Sequence, residues 1–276
     1  MDFIAIIGLL AGLAALVGGF LWEGGGISGL LQPAAALIVF GGTLGAVAVG
    51  FPASKLRQIP SALAMAFRGS GDGNQEMARE IETLAAVIRR GGVLALEERA
   101  DSHPDAFTRE GLQLIVDGTD PDQVREILEL EMDAEEQKHD AYAKIFEAAG
   151  GYAPTMGIIG TVMGLIHVLG NLTEPSQLGP SIAMAFTATL YGVASANLIF
   201  LPIASKIKAR SQERMHTMEM LMTGILALQS GDNPHLVSRK LRAFLKDTDS
   251  RDKDTLRNGG DGGGGGRTGW RAGTAG

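Results

Sequence analysis

Four stretches of this chain carry no Asp, Glu, Lys or Arg: between Asp2 and Glu23, between Glu23 and Lys55, between Glu147 and Glu174, and between Glu174 and Lys206. Each can supply the roughly 20 apolar residues that cross a hydrocarbon core about 30 Å thick. The expected spans are Phe3 to Trp22, Pro33 to Phe51, Tyr152 to Leu172, and Ile182 to Ile203. With 276 residues and a mean hydropathy of +0.13, the chain has room for a membrane bundle and a modest polar part. The fold class that follows is an all-α membrane protein, with four transmembrane helices and a helical cytoplasmic domain inserted between helices 2 and 3.

Met1-Asp2 lacks the basic residues of a signal sequence, and a second span follows closely, so the first run is expected to be a retained helix. Positive charges mark the cytoplasmic side. Lys55, Arg57 and Arg68 follow the second span and Lys206, Lys208 and Arg210 follow the fourth, whereas the loops Glu23 to Gln32 and Thr173 to Ser181 contain no Lys or Arg. Both termini and the large insert are therefore expected in the cytoplasm. The expected segments are 1–53 (spans 1 and 2), 54–149 (cytoplasmic helical domain), 150–205 (spans 3 and 4), 206–246 (cytoplasmic helices) and 247–276, a Gly-rich tail that buries too little to offset its ordering entropy.

The insert reads as helices. From Gln75 to Arg90 the apolar Met77, Ile81, Leu84, Ala85 and Ile88 recur at helical spacing, and Gly91-Gly92 ends the pattern. Pro104-Asp105 opens another helix through Val116. Gly118-Thr119-Asp120-Pro121 is a stop followed by an N-cap and a proline at the first helical position. From Pro121 a helix is expected to run through charged sequence into the third span. Ser205 to Leu228 extends the fourth, and Pro234 to Lys246 forms one more amphipathic helix.

The net charge of −7, without a basic stripe, argues against nucleic acid. There is no cysteine, hence no disulfide or thiolate metal site. No nucleophile–base pair, metal-ligand cluster or nucleotide motif stands out, so the chain is not expected to be an enzyme, and no metal or other cofactor is expected.

The third run, Gly150 to Gly170, combines threonines, a proline and repeated glycines without carboxylate or lysine. Glycines let helix backbones approach, and hydroxyls hydrogen-bond without a buried charge. Across the spans the polar groups include Thr155, Thr161, Thr187, Thr189, Ser195 and Asn197. A hydroxyl can hold water, a cation or a carboxyl group but does not titrate here. If ions pass, the ionisable group must come from a partner helix. At 100° per residue, Thr187 and Thr189 point about 200° apart. Thr189 shares its stripe with Ala185, Gly192 and Ala196. Thr161 lies among Gly157, Gly160 and Gly164. These two faces could jointly line a slot for a foreign helix. They could equally serve packing alone, with each threonine bonded to the carbonyl one turn back. Pro154 and Pro202 could mark hinges or simple kinks.

The run from Tyr152 to His167 (YAPTMGIIGTVMGLIH), with Leu178 to Gly192 (LGPSIAMAFTATLYG) and Ala196 to Ala204 (ANLIFLPIA), closely resembles MotA-type stator subunits of the bacterial flagellar motor. These belong with TolQ and ExbB in one ion-channel superfamily. The resemblance covers about residues 1 to 245, and four spans fit the motor better than TolQ or ExbB, which have three; an energiser of that kind remains the alternative.

The resemblance implies a protein of the bacterial inner membrane, lipid-embedded, forming a ring of five around two copies of a MotB-like subunit. That partner's single membrane helix would carry the aspartate missing here. Thr161 and Thr189 would face that aspartate, with Ala188 also lining the ion path, and Pro154 and Pro202 would couple ion passage to movement. Arg89 and Glu97 would engage the rotor protein FliG; the adjacent Arg90 and Glu98 leave a second register open. Sodium-type relatives have a threonine immediately before the one matching Thr189. Here that residue is Ala188, one oxygen fewer for a hard cation, which favours protons.

Overall fold

A computed structural model of the chain describes residues 3–67, 73–170 and 175–245. The Gly-rich tail lies outside them, as do Arg68, Lys246, Asn171 and Leu172 at the expected end of the third span, and Thr173 and Glu174 of the second loop. In chain order the elements are α1 (Phe3–Trp22), α2 (Ile27–Leu30), α3 (Pro33–Ala36), a π-helical turn (Leu37–Gly41), α4 (Gly42–Gly50), α5 (Ala53–Leu56) and α6 (Ile59–Phe67). Then come α7 (Gly73–Gly91), a 3-10 turn (Val93–Leu96), α8 (Glu97–Ser102), α9 (Ala106–Val116) and α10 (Pro121–Gly170). The series closes with α11 (Pro175–Ser195), a second π-helical turn (Ala196–Phe200), α12 (Leu201–Gln229) and α13 at 234–245. Among the described residues there is no strand.

Among the described residues four helical stretches are long and apolar enough to cross a membrane: Ile4–Trp22, Ile27–Gly50, and parts of Pro121–Gly170 and Leu178–Gln229. Large apolar side chains stand outward on them, including Ile4, Leu44, Val49, Ile166 and Phe186. In water such faces would be a liability; in lipid or against other subunits they are the natural exterior.

The chain forms two compact units: Met1–Gly71 with Glu129–Met215, and Asp72–Leu128 with His216–Gly276. The boundaries between the units fall within α10 and α12, each of which is one continuous helix.

In the first unit, Tyr142, Ala143 and Phe146 of α10 bury against Ala62 and Ala66 of α6 and Ala204 and Ile207 of α12. A second cluster joins Val47, Ile145 and Ala149. One turn before Tyr142, His139 is buried, with its Nε2 3.6 Å from Glu135 Oε1. Burial pushes its imidazole below the ordinary 6.5; Glu135 opposes that shift, while Lys138 and Arg214 add to it. The unfolded chain thus takes up a proton near pH 6.5 that the folded chain refuses until lower pH. Stability present above that value is lost as the pH falls below it. The melting temperature of the detergent-solubilised protein is expected to drop between about pH 7 and pH 5.5, and His139→Phe to flatten that limb.

The second unit is built on α7, whose Ile81, Leu84 and Ala85 are buried, and on the buried Leu221, Ile225 and Leu228 of α12. A Cβ on Gly224 would lie 2.8 Å from Ile81 Cγ2, so α12 lies close against α7 there. Gly92, at φ +74°, turns the chain out of α7. Asp105 caps α9 by accepting from Thr108 N at 3.0 Å. Asp120 Oδ1 accepts from Asp122 N at 3.0 Å, and Pro121 begins α10 as the sequence requires. His103 is buried with Nε2 3.3 Å from Glu80 Oε2.

The expected helices at Gln75–Arg90, Pro104–Val116, Pro121 onward and Ser205–Leu228 are all present. Four short ones were not foreseen: α2, α5, α6 and α8. Elements of one or two turns are too brief to display a period, and their burial is decided by neighbours.

Candidate functional site

α10 and α11 meet through their smallest residues. A Cβ built on Gly157 would sit 2.9 Å from the Ala188 carbonyl oxygen and 3.2 Å from Thr189 Cα. On Gly160 it would lie 2.6 Å from Ala188 Cβ, and on Gly164 2.7 Å from Ala185 Cβ. From the other side, a Cβ on Gly192 would be 2.5 Å from the Ala153 carbonyl oxygen. Most of these neighbours are backbone atoms, which have nowhere to go. The two small-residue faces therefore pack directly on each other, where the sequence had suggested walls flanking a third helix. Dispersion and backbone proximity hold such a contact in lipid, where no hydrophobic force between helices operates.

This close approach brings Thr161 and Thr189 into direct hydroxyl–hydroxyl hydrogen bonding. Thr161 Oγ1 also lies 3.1 Å from the Gly157 carbonyl, one turn back, and 3.1 Å from the Ala185 carbonyl of α11. The back-bonding weighed from sequence is present at Thr161, and the direct pairing with Thr189 is a finding of the structure. A hydroxyl has one proton and two lone pairs. If Thr161 gives its proton to a carbonyl, Thr189 donates to Thr161 and keeps a lone pair free. If Thr161 donates to Thr189, the Thr189 proton is free. The half-buried pair can thus meet either an acceptor or a donor by rotating two C–O bonds.

The remaining hydroxyls point elsewhere. Thr187 is buried and donates to the Ala183 carbonyl at 2.8 Å and the Gly29 carbonyl at 3.3 Å. Tyr191 donates to the Leu30 carbonyl. Thr155 donates to Tyr152 O at 2.7 Å and Ser195 to Gly192 O at 3.2 Å. The 200° separation of Thr187 from Thr189 holds: one faces the α2–α3 connection, the other faces α10. Ala188 is fully buried beside Ala35 and Val39.

Pro154 lies inside α10 and has no N–H for the Gly150 carbonyl one turn earlier. Pro202 follows the π-helical turn Ala196–Phe200, where Leu201 N–H reaches back five residues to Ala196 O. A widened turn is how a helix accommodates a missing donor nearby. The two breaks adjoin: a Cβ on Gly150 would meet Leu201 Cδ2 at 2.7 Å and Phe200 Cβ at 3.6 Å.

In the second unit Arg89 and Arg90 end α7 and Glu97 and Glu98 begin α8, on either side of Gly92. All four are exposed. Among the described residues none of their side chains has an ion-pair partner. Sequence reasoning missed Tyr191 and the π-helical turns. A tyrosine in a span was a signal for the former, since its hydroxyl must find a partner in lipid.

The arrangement has known counterparts. The family model for the Motility protein A N-terminal region matches residues 6–91. That of the MotA/TolQ/ExbB proton channel family matches residues 99–220. Motility protein A of Bacillus subtilis (strain 168) is 35% identical over 246 residues, which is 89% of this chain and 91% of that protein. The solved flagellar MotAB stator complex of Bacillus subtilis matches with a TM-score of 0.82 at 34% identity, covering 90% of this chain and 97% of that one. C. jejuni MotAB matches at 0.83 and 27% identity, covering 88% and 96%. An N-terminal Motility protein A match leaves no reason to prefer the TolQ or ExbB alternative. The chain belongs to the MotA/TolQ/ExbB family as a MotA-type flagellar stator subunit, a multi-pass protein of the inner membrane and not an enzyme.

Proposed function

We propose that this subunit presents the Thr161–Thr189 pair to the single membrane helix of a MotB-like partner, whose aspartate supplies the titrating group, and that the ion conducted is the proton. The carrying observation is the half-buried hydroxyl pair in spans that hold no Asp, Glu, Lys or Arg. An ionised carboxylate needs a donor and a protonated carboxyl needs an acceptor. This pair offers either. A dehydrated sodium ion needs several oxygens. The carbonyls within reach of Thr161 Oγ1, those of Gly157 and Ala185, belong to regular helix, and Ala188, next to Thr189, adds a buried methyl group and no oxygen. Replacing sodium by potassium in the medium is expected to leave swimming unchanged, and a protonophore to stop it; sodium-dependent swimming would contradict the proton reading.

Five subunits around two partner helices, with both termini and the insert in the cytoplasm, is the assembly the resemblance implies. The exposed apolar faces of the spans suit it, since each must be covered by lipid or by a neighbour. When the aspartate is neutralised its preferred contact passes to the next subunit and the ring steps. Pro154 and Pro202, in stretches of α10 and α12 that lie side by side at Gly150 and Leu201 and with a π-helical turn just before Pro202, are where α10 and α12 bend with least loss of hydrogen bonding. Torque leaves through Arg89 and Glu97, which are exposed and free to pair with charged residues of FliG. Arg89→Glu is expected to reduce the swim rate severalfold with normal membrane levels. If Arg90→Glu does so and Arg89→Glu does not, the register is the other one.

A further inference from the structure

α11 is held from two sides, and only one of them is the glycine contact with α10. On the opposite stripe, Thr187 and Tyr191, one turn apart, grip the connection between α2 and α3. Helix α2 has only four residues and ends with Leu31 N–H on the Ser28 carbonyl, so the carbonyls of Gly29 and Leu30 at its end are left for partners outside the helix. Thr187 Oγ1 lies 3.3 Å from the Gly29 carbonyl. The Tyr191 hydroxyl donates to the Leu30 carbonyl and accepts from Gln32 N–H at 3.3 Å. It thereby bonds the residues on either side of Leu31. The Tyr191 ring sits 6.0 Å from that of Phe40 and packs on the Ala35, Val39 and Ala188 cluster.

Thr189 lies midway between these two residues in sequence, on the other side of the helix. Its hydroxyl is about 5 Å from the helix axis, so a rotation of about 10° displaces it by about 1 Å. A hydrogen bond does not survive that from an optimal distance near 2.8 Å. The glycines and alanines where α10 and α11 meet offer nothing longer than a methyl group to resist such a rotation, and the clamp does.

We propose that Tyr191, assisted by Thr187, is a positioning residue for the ion path: by fastening α11 to the 29–32 connection it sets the rotation at which Thr189 meets Thr161. This rests on the reading of that pair as the place where the partner's carboxyl is received.

The test uses cells whose only stator is this chain with its single-span partner, carrying Tyr191→Phe, Thr187→Val or both, beside Thr189→Val. The chain has no cysteine, so a Thr161→Cys/Thr189→Cys pair reports the contact through its rate of disulfide formation in membranes. Tyr191→Phe is expected to keep its membrane level, to slow that cross-linking by about three- to tenfold, the factor carried by one hydrogen bond, and to shift the external pH at which swimming speed is half-maximal. Thr187→Val should act in the same direction and add little to Tyr191→Phe, since both work through one connection. Unchanged cross-linking and pH profile would overturn the proposal, as would a fall in membrane level with the cross-linking rate of the surviving protein unchanged. If Thr189→Val swims normally, the pathway reading fails, while the cross-linking rate still decides whether Tyr191 positions the pair.

Discussion

Gly157→Val is expected to abolish swimming, because no side chain fits where α10 crosses α11. Even the first carbon would lie 2.9 Å from the Ala188 carbonyl oxygen, 3.2 Å from Thr189 Cα and 3.4 Å from Gly192 Cα. These are backbone atoms on a helix that is itself held from behind, so the helices must part. Overpacking of this kind costs about 1–3 kcal/mol, and parting the helices by the width of one methyl group breaks the Thr161–Thr189 bond. Swim plates and membrane immunoblots read the result. Gly45→Ala in α4, where an added Cβ meets nothing within 4 Å, is the matched control and should swim normally. Equal behaviour of the two would mean that the close approach of α10 and α11 carries no function.

Thr189→Val should be nearly as severe for motility while leaving the fold intact. Valine keeps the branched shape and removes only the hydroxyl, so the loss in stability is that of one hydrogen bond, about 1 kcal/mol. Ion passage loses the group that meets the partner's carboxyl in both its states, and a drop of about tenfold or more in swimming speed is expected, corresponding to about 1.4 kcal/mol on the barrier. Thr189→Ser restores the hydroxyl and should recover most of the speed. A swimming Thr189→Val strain would place the pathway elsewhere in the bundle.

The contrast between these variants shows what the sequence could and could not convey. The spans were legible because charge is excluded from lipid for energetic reasons that composition records directly. The start of α10 was legible because Gly118, Asp120 and Pro121 each do a local job. The opposed directions of Thr187 and Thr189 follow from helix geometry alone. What Thr161 touches was not legible, since the Ala185 carbonyl and the Thr189 hydroxyl lie on another helix and only the meshing of glycines with alanines brings them there. The π-helical turn at Ala196–Phe200 escaped because apolar periodicity does not distinguish a turn of four residues from one of five. Tyr191 escaped because its partners are backbone atoms, the Leu30 carbonyl at the end of a four-residue helix and the Gln32 N–H just after it, which leave no trace in side-chain pattern. The roles of Arg89 and Glu97 rest on resemblance: exposed charges at helix ends have no local chemistry that marks them as contacts for another protein.

On the proposed reading, this chain builds a hydroxyl-lined half of an ion path and contributes no titrating group to it. The most direct measurement is ion flux into vesicles containing the purified chain alone, compared with vesicles in which it is co-reconstituted with its aspartate-bearing single-span partner. No flux above the lipid background is expected for the chain alone, and proton uptake, lost with Thr189→Val, for the pair. Robust cation transport by the chain without a partner would contradict it.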